Sequence, residues 1–159
     1  MNIVNVSTLY PEWNWLAYRF ADRPDLHWTH VSTESMGVPS WLPRGDLVGR
    51  VLAARAACRL TASPDESLLV SHGPRISVYV ELANRRRPRR TQHLAYVFNY
   101  TELPRGKKRD FHARGLATVD RFVVFSNAER ATTCAPSAAR AATTACWSRP
   151  CARCRTCAW

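Results

Sequence analysis

Two apolar runs, each ending abruptly in polar residues, constrain this chain more than any other feature. The run His93-Leu94-Ala95-Tyr96-Val97-Phe98 opens into Asn99-Tyr100-Thr101-Glu102-Leu103-Pro104, and Arg121-Phe122-Val123-Val124-Phe125 ends in Ser126-Asn127-Ala128-Glu129. Short continuous apolar runs bounded by turn signals suit strands covered on both faces, the habit of parallel sheets. Between them lies one helix's worth of chain, so the segment reads as a βαβ crossover. Ligands of such sheets gather beyond the carboxyl ends of the strands. The exits at Asn99 to Glu102 and at Ser126 to Glu129 are therefore where a site is expected.

The rest of the chain repeats this alternation. Met1 to Val6 reads as a first strand and lacks the basic start and long apolar centre of a secretory signal, which favours the cytoplasm. Trp13, Leu16, Ala17 and Phe20 fall at i, i+3, i+4 and i+7 and mark the apolar face of a helix. Leu26 to Val31 is a second strand, in which His30 reads as a polar strand residue rather than a ligand. Leu47, Val48, Val51, Leu52, Ala54 and Cys58 again recur at helical spacing, with Cys58 on the buried face. Leu68-Leu69-Val70 is a third strand that runs into Ser71-His72-Gly73-Pro74, where proline suits the first turn of a helix. The next residues fit two patterns: Ile76, Val78, Val80 and Leu82 alternate like a strand, whereas Ile76, Tyr79, Val80 and Ala83 fit a helix face. A parallel sheet needs a crossover before residue 93, which favours the helix. Gly106 to Thr118 is a further helix, weakened by Gly115. Ser126 and Glu129 match a capping box, whose plain role is to start a helix.

The formal charge of +11 divides unevenly. Residues 131–159 hold four arginines and no acidic residue, leaving +7 for the remainder. That excess concentrates in Arg85-Arg86-Arg87-Pro88-Arg89-Arg90 and in Arg105, Lys107, Lys108 and Arg109. Such clusters suit a solvated loop, nucleic acid, an anionic membrane face or a phosphorylated ligand. With 159 residues, 46% of them hydrophobic, the chain has room for one ordinary core, and no apolar run approaches a membrane span.

From Ala131 the composition changes: nine Ala, five Cys, five Thr and four Arg among 29 residues, with no Leu, Ile, Val, Phe, Asp, Glu or Lys. Such a stretch is poorly suited to a packed core and reads as disordered. Cys146, Cys151, Cys154 and Cys157 have a spacing that zinc or an iron–sulfur cluster accepts on paper. A frameshift explains the composition better, because a GC-rich gene read out of frame yields Ala, Arg and Pro beside Cys and Trp. Read one frame over, Ala131-Thr132-Thr133-Cys134 admits strings such as Tyr-Tyr-Leu-Arg, which carry a helix onward. The expected division is thus a folded part, residues 1–130, and a tail, residues 131–159.

The strings Leu68 to Pro74, Phe98-Asn99-Tyr100-Thr101-Glu102-Leu103-Pro104 and Val119-Asp120-Arg121-Phe122-Val123-Val124-Phe125-Ser126-Asn127-Ala128-Glu129-Arg130 resemble the amino-terminal half of retaining, group 1 glycosyltransferases of the GT-B fold. The resemblance covers residues 1–130 and contains no catalytic signature. It implies a Rossmann-like three-layer α/β domain with a mostly parallel sheet, binding a carbohydrate or glycosylated acceptor. The nucleotide-sugar donor would be held by a second domain that this chain lacks, so the fragment is expected to be inactive alone. His72, Gly73, Asn99, Tyr100, Glu102 and Ser126 are the acceptor-binding candidates, with His72 placed to orient or accept a hydroxyl proton. His72-Gly73-Pro74 reads equally well as a simple turn. Two departures from the family pattern stand out: Ser7-Thr8-Leu9-Tyr10 replaces a glycine-rich loop after the first strand, and the donor-binding domain, with its paired acidic motif and basic residues, is absent; no catalytic residue, metal or cofactor is assigned to residues 1–130. The competing class is a basic α/β module that binds nucleic acid or the inner face of a membrane without catalysis.

Overall fold

Hydrophobic runs that stop at polar residues, separated by helical segments, give five strands and four α-helices in alternation among the described residues. The computed structural model describes residues 1–9, 14–61, 63–97 and 104–123. The elements are β1 (Asn2–Ser7), α1 (Trp15–Arg19), β2 (His27–Ser32), α2 (Gly45–Leu60), β3 (Ser67–His72), α3 (Pro74–Asn84), β4 (Gln92–Tyr96), α4 (Gly106–Leu116) and β5 (Arg121–Val123), with short 3-10 turns at Glu34–Met36 and Pro64–Glu66. All five strands are parallel, in the order β2-β1-β3-β4-β5. The expected three-layer α/β fold is the one observed, and its sheet is parallel throughout. The expected boundary at residue 130, the capping box at Ser126 and Glu129, and the cysteine-rich tail lie outside the described residues.

The two faces of the sheet are covered unequally. On one face α2, α3 and α4 pack through Ala53, Ala54, Ala57, Ile76 and Val80 against Val4, Val6, Val31 and Leu69, and through Val78 and Leu116 against Ala95 and Val97. On the other, α1 contributes Leu16 to a smaller cluster with Ile3 and Val70, flanked by partly buried Trp28, Leu68, Leu94 and Tyr96. Strand residues alternate between these faces because successive side chains point to opposite sides.

Several elements differ from expectation in instructive ways. In α2 the buried face is Gly49, Ala53, Ala54, Ala57 and Cys58, while Leu47 and Leu52 are 36% and 39% exposed. Small residues let the helix axis approach the sheet and α3 closely, so the large apolar residues that suggested the face lie on its flank. Cys58 sits on the buried face as expected, and burial pushes its thiol up to about 11, leaving it a protonated, unreactive small hydrophobe. Helix α1 spans five residues, shorter than its apolar spacing suggested; Phe20 lies just past its end and stacks on Trp28 with ring centroids 6.1 Å apart. The ambiguous stretch after Pro74 is a helix, with proline in its first turn and Gly73 before it at φ 98°, a conformation that favours glycine.

Gly115 weakened the case for α4 by propensity, yet it is what allows α4 to pack. A Cβ built on Gly115 falls 2.5 Å from Val78 Cγ1. Val78 is fully buried and stiff at χ1, so it cannot swing aside. Gly115→Ala is expected to destabilise the domain by about 1 kcal/mol, the overpacking cost of about 1–3 kcal/mol being partly offset by alanine's helix propensity of about 1 kcal/mol. In a Val78→Ala background the same change should become neutral or stabilising. Urea midpoints of the four proteins in this double-mutant cycle check it, and additive effects would contradict the contact.

Candidate functional site

Strand order places the crevice. β1 connects through α1 to β2 on one side, and β2 connects through α2 across to β3 on the other, so the chain changes direction between β1 and β3. In open α/β sheets the carboxyl edge at that switch point is where ligands bind. The register pairs Ser7 with Ser32 across β1 and β2, and His72 with Tyr96 across β3 and β4. Val6 pairs with Ser71, so Ser7 and His72 stand one position further along and side by side. On the α1 face the last row of the sheet thus runs Ser32, Ser7, His72, Tyr96, with His30 and Asn5 one row beneath.

Polar side chains in this position depart from the unbroken apolar pattern of a doubly covered strand. Asn5 and Ser7 are fully buried and Ser32 and His72 nearly so. Ser7 Oγ lies 3.0 Å from His30 Nε2 and accepts from the Leu9 backbone N–H at 3.1 Å. Ser32 Oγ donates to the Leu9 carbonyl at 2.5 Å and accepts from Glu34 N–H at 3.2 Å. The two serines thereby hold the exit of β1 against the exit of β2. Asn5 Nδ2 donates to Asn14 Oδ1 at 3.1 Å, which ties the start of α1 to the centre of the sheet.

Aromatic rings form the wall beside this row. His72 stacks on Tyr96 with centroids 4.8 Å apart, and Trp15 of α1 meets both rings edge-on at 6.2 and 6.1 Å. The Gly73 N–H donates to the Tyr96 carbonyl at 2.8 Å, which fixes the turn after β3 to β4. Burial, with a smaller contribution from the nearby His30, pushes the His72 imidazole down to about 4. At neutral pH His72 is therefore uncharged, and no other row member carries charge. The row can exchange hydrogen bonds with hydroxyl or amide groups and offers an aromatic surface, but it brings no fixed charge to a phosphate.

Of the residues expected from sequence, the structure places His72 and Gly73 at the crevice; Asn99, Tyr100, Glu102 and Ser126 lie outside the described residues. Asn5, Ser7, His30, Ser32, Tyr96 and Trp15 were not among the candidates. Their signal was present in β1, where Val4 and Val6 alternate with Asn5 and Ser7, so one face of a supposedly buried strand is polar. Among the described residues no group of three or more His, Cys, Asp or Glu side chains is placed to hold a metal ion. No helix among them is long and apolar enough to cross a membrane.

The first arginine cluster lies at the opposite, amino edge of the sheet, and part of it is turned inward. Arg87 donates to Thr61 Oγ1 at 2.6 Å, the Thr61 carbonyl at 2.7 Å and Thr91 Oγ1 at 3.0 Å, joining the end of α2 to the entry of β4. Arg90 pairs with Asp120 at 2.7 Å and Glu81 at 3.4 Å. Arg85 reaches the Arg114 carbonyl at 3.3 Å. These side chains brace the fold, which reduces the charge available to a polyanion. Lys107 and Lys108 are exposed at the start of α4. Neither a family model, nor a curated protein, nor a solved structure matches the chain.

The buried His72 makes stability pH-dependent. The unfolded chain takes up this proton near pH 6.5 and the folded one only near 4, so stability is lost as pH falls through that window. The full penalty, roughly 3 kcal/mol, is in place below pH 4. His72→Asn should therefore lose less stability than the parent chain between pH 7 and 4.5, as read from urea midpoints. Parallel acid limbs in the two proteins would show that His72 is not the buried neutral group described.

Proposed function

We propose that the domain is the acceptor-side half of a glycosyltransferase, binding a carbohydrate or glycosylated acceptor in the crevice between the ends of β1 and β3. The observation that carries this reading is the row Ser32, Ser7, His72 and Tyr96 at the switch point: uncharged hydrogen-bonding groups beside an aromatic wall. A sugar presents hydroxyls that donate and accept together with C–H faces that lie against rings, and a neutral row meets it without burying an unmatched charge. The resemblance of residues 68–74, 98–104 and 119–130 to the amino-terminal half of retaining, group 1 GT-B enzymes supports the same reading from sequence.

The chemistry assigns the rest of the reaction elsewhere. Transfer from a nucleotide sugar needs the leaving diphosphate stabilised as the sugar becomes cationic, which calls for preorganised positive groups or helix ends. It also needs donor and acceptor held together. The row Ser32, Ser7, His72 and Tyr96 itself offers uncharged groups and no charged side chain for a diphosphate, and in this reading the donor is held by a second domain and the chain alone does not turn over. His72, neutral and beside Ser7, is positioned to orient an acceptor hydroxyl. The chain would work in the cytoplasm, with Lys107 and Lys108 exposed toward the same edge for an anionic membrane face.

The test is a titration of the isotope-labelled chain with neutral oligosaccharides, followed through backbone amide resonances. Shifts at Ser7, His30, His72, Gly73 and Tyr96 are expected at millimolar ligand, and Trp15→Ala should weaken binding roughly three- to tenfold, the worth of one aromatic contact of about 0.5–1.5 kcal/mol. If saccharides leave these resonances unmoved while DNA or RNA at low salt shifts residues 85–90, the chain belongs to the basic binding modules instead.

A further inference from the structure

A continuous line of buried polar groups runs from the interior of α3 to the turn that borders the crevice. Glu81 Oε2 lies 2.8 Å from His93 Nδ1, His93 Nε2 lies 2.8 Å from Ser71 Oγ, Ser71 Oγ lies 2.7 Å from Ser77 Oγ, and Ser77 Oγ lies 2.8 Å from the Gly73 carbonyl. Glu81, Ser71 and Ser77 are fully buried and His93 nearly so, so water does not supply the missing partners. The direction of every hydrogen bond then follows from the two ends.

At one end the Gly73 carbonyl is acceptor only, so Ser77 must donate to it. Ser77 has spent its single proton and can only accept from Ser71. Ser71 has likewise spent its proton and can only accept, so His93 Nε2 must carry a hydrogen. At the other end Glu81 is a carboxylate: Thr118 Oγ1 donates to Oε1 at 2.5 Å and the Arg90 guanidinium stands 3.4 Å away. Burial alone would push that carboxyl up, but the hydrogen bonds from His93 and Thr118 and the charges of His93 and Arg90 together hold it below its ordinary value. A carboxylate accepts, so His93 Nδ1 must also carry a hydrogen.

We infer that His93 is held as a doubly protonated imidazolium inside the fold, and that it acts through Ser71 and Ser77 as a positioning residue for the Gly73 turn at the crevice. If Nε2 loses its hydrogen, Ser71 turns its proton toward the imidazole. Ser77 then has one proton for two acceptors, Ser71 and Gly73, and the carbonyl of the turn can be left with the Ser77 backbone N–H at 3.1 Å as its remaining donor. The charged and titratable groups around His93 are Glu81 on α3, Arg90 before β4, and Asp120 before β5, whose carboxylate accepts from the His93 N–H at 2.9 Å and pairs with Arg90. The thiol of Cys58 on α2 belongs to the same surroundings through its interaction with Glu81. The two carboxylates and one guanidinium leave an excess negative charge that the second proton of His93 balances. This inference is independent of what the crevice binds.

The experiment reads the two ring nitrogens of His93 by nitrogen-15 magnetic resonance in the labelled full chain at neutral pH. Both are expected to show attached hydrogens; an unprotonated Nε2 overturns the inference. In Ser71→Ala the Nε2–H has no acceptor, and His93 should fall to the neutral form bearing hydrogen on Nδ1 alone at the same pH. Persistence of the doubly protonated form there would show that the serine line does not hold the proton. Should Ser71→Ala fail to fold, Ser77→Ala serves with the same readout, and Ser77→Thr, which keeps the hydroxyl, should restore both the His93 signature and the Gly73 amide resonance. A Gly73 resonance unchanged in Ser77→Ala would refute the link to the turn.

Discussion

The fold hangs on one buried carboxylate. Glu81, on the inner side of α3, accepts from His93 of β4 and from Thr118 in the connection to β5, and it faces Arg90, which in turn grips Asp120. Helix α3, strand β4 with its entry, and the connection to β5 are thereby fixed together by a group with no exposed surface. An uncompensated buried carboxylate would cost several kcal/mol, so the arrangement stands only because every partner is in place. The cost of losing a partner is what makes the network specify register. Ser77, Glu81 and Asn84 recur at i, i+4 and i+7 along α3, and each has a distinct mate: Ser71 on β3, His93 on β4, and Thr91 at the entry of β4. An apolar stripe would let α3 slide along the sheet; this polar stripe admits one position.

The opposite face follows a different rule. The Asn5 side-chain oxygen and the Trp28 indole nitrogen are buried without a hydrogen-bond partner, and both lie on the α1 face. Each such group costs roughly 1–3 kcal/mol. On the face of α2 to α4, Glu81, Asn84, Thr91, His93, Ser71 and Ser77 are all bonded. Among the described residues this unmet polar capacity falls on the α1 face, with Asn5 one row beneath the end of the crevice row and Trp28 near the amino end of β2, and not on the face whose task is to hold the sheet together. The division of labour matches the topology, since among the described residues α1 alone covers one side while three helices secure the other.

How much of this the sequence disclosed depends on the kind of signal. Strands β3 and β4 announced themselves through unbroken apolar runs, and Pro74 marked the start of α3, because these features act over a few neighbouring residues. The buried face of α2 did not, since Ala53, Ala54 and Ala57 are less conspicuous than Leu47 and Leu52, although only the small residues permit the close approach. Gly115 counted against a helix by propensity and in favour of one by packing, and its reason, Val78, lies 37 positions away on α3. His72 and Gly73 were legible as a strand exit. Asn5 and Ser7 left a local trace as polar positions alternating with Val4 and Val6, but their role, like that of Ser32, comes from the lateral alignment of β1, β2 and β3, which that trace does not encode. His93 was read as one end of an apolar run; its partner Glu81 lies twelve positions back, near the end of α3, and only the packing of α3 on the sheet brings them together.

The connectivity of Ser71, His93 and Glu81 invites comparison with a nucleophilic serine served by histidine and an acid, and the same distances exclude that role. In such a triad the histidine must take the serine's proton, so Nε2 is bare in the resting state and the hydroxyl points at it. Here the Gly73 carbonyl and Ser77 draw the Ser71 proton the other way, so Nε2 faces the serine as a donor. Ser71 also has no exposed surface and points into the layer under α3, away from the face that carries the crevice. A histidine that has already been given both protons cannot act as a base, but it makes a rigid link between two elements. The same three residue types thus serve chemistry or architecture according to what stands beyond the serine, and in this chain a second serine and a backbone carbonyl decide for architecture.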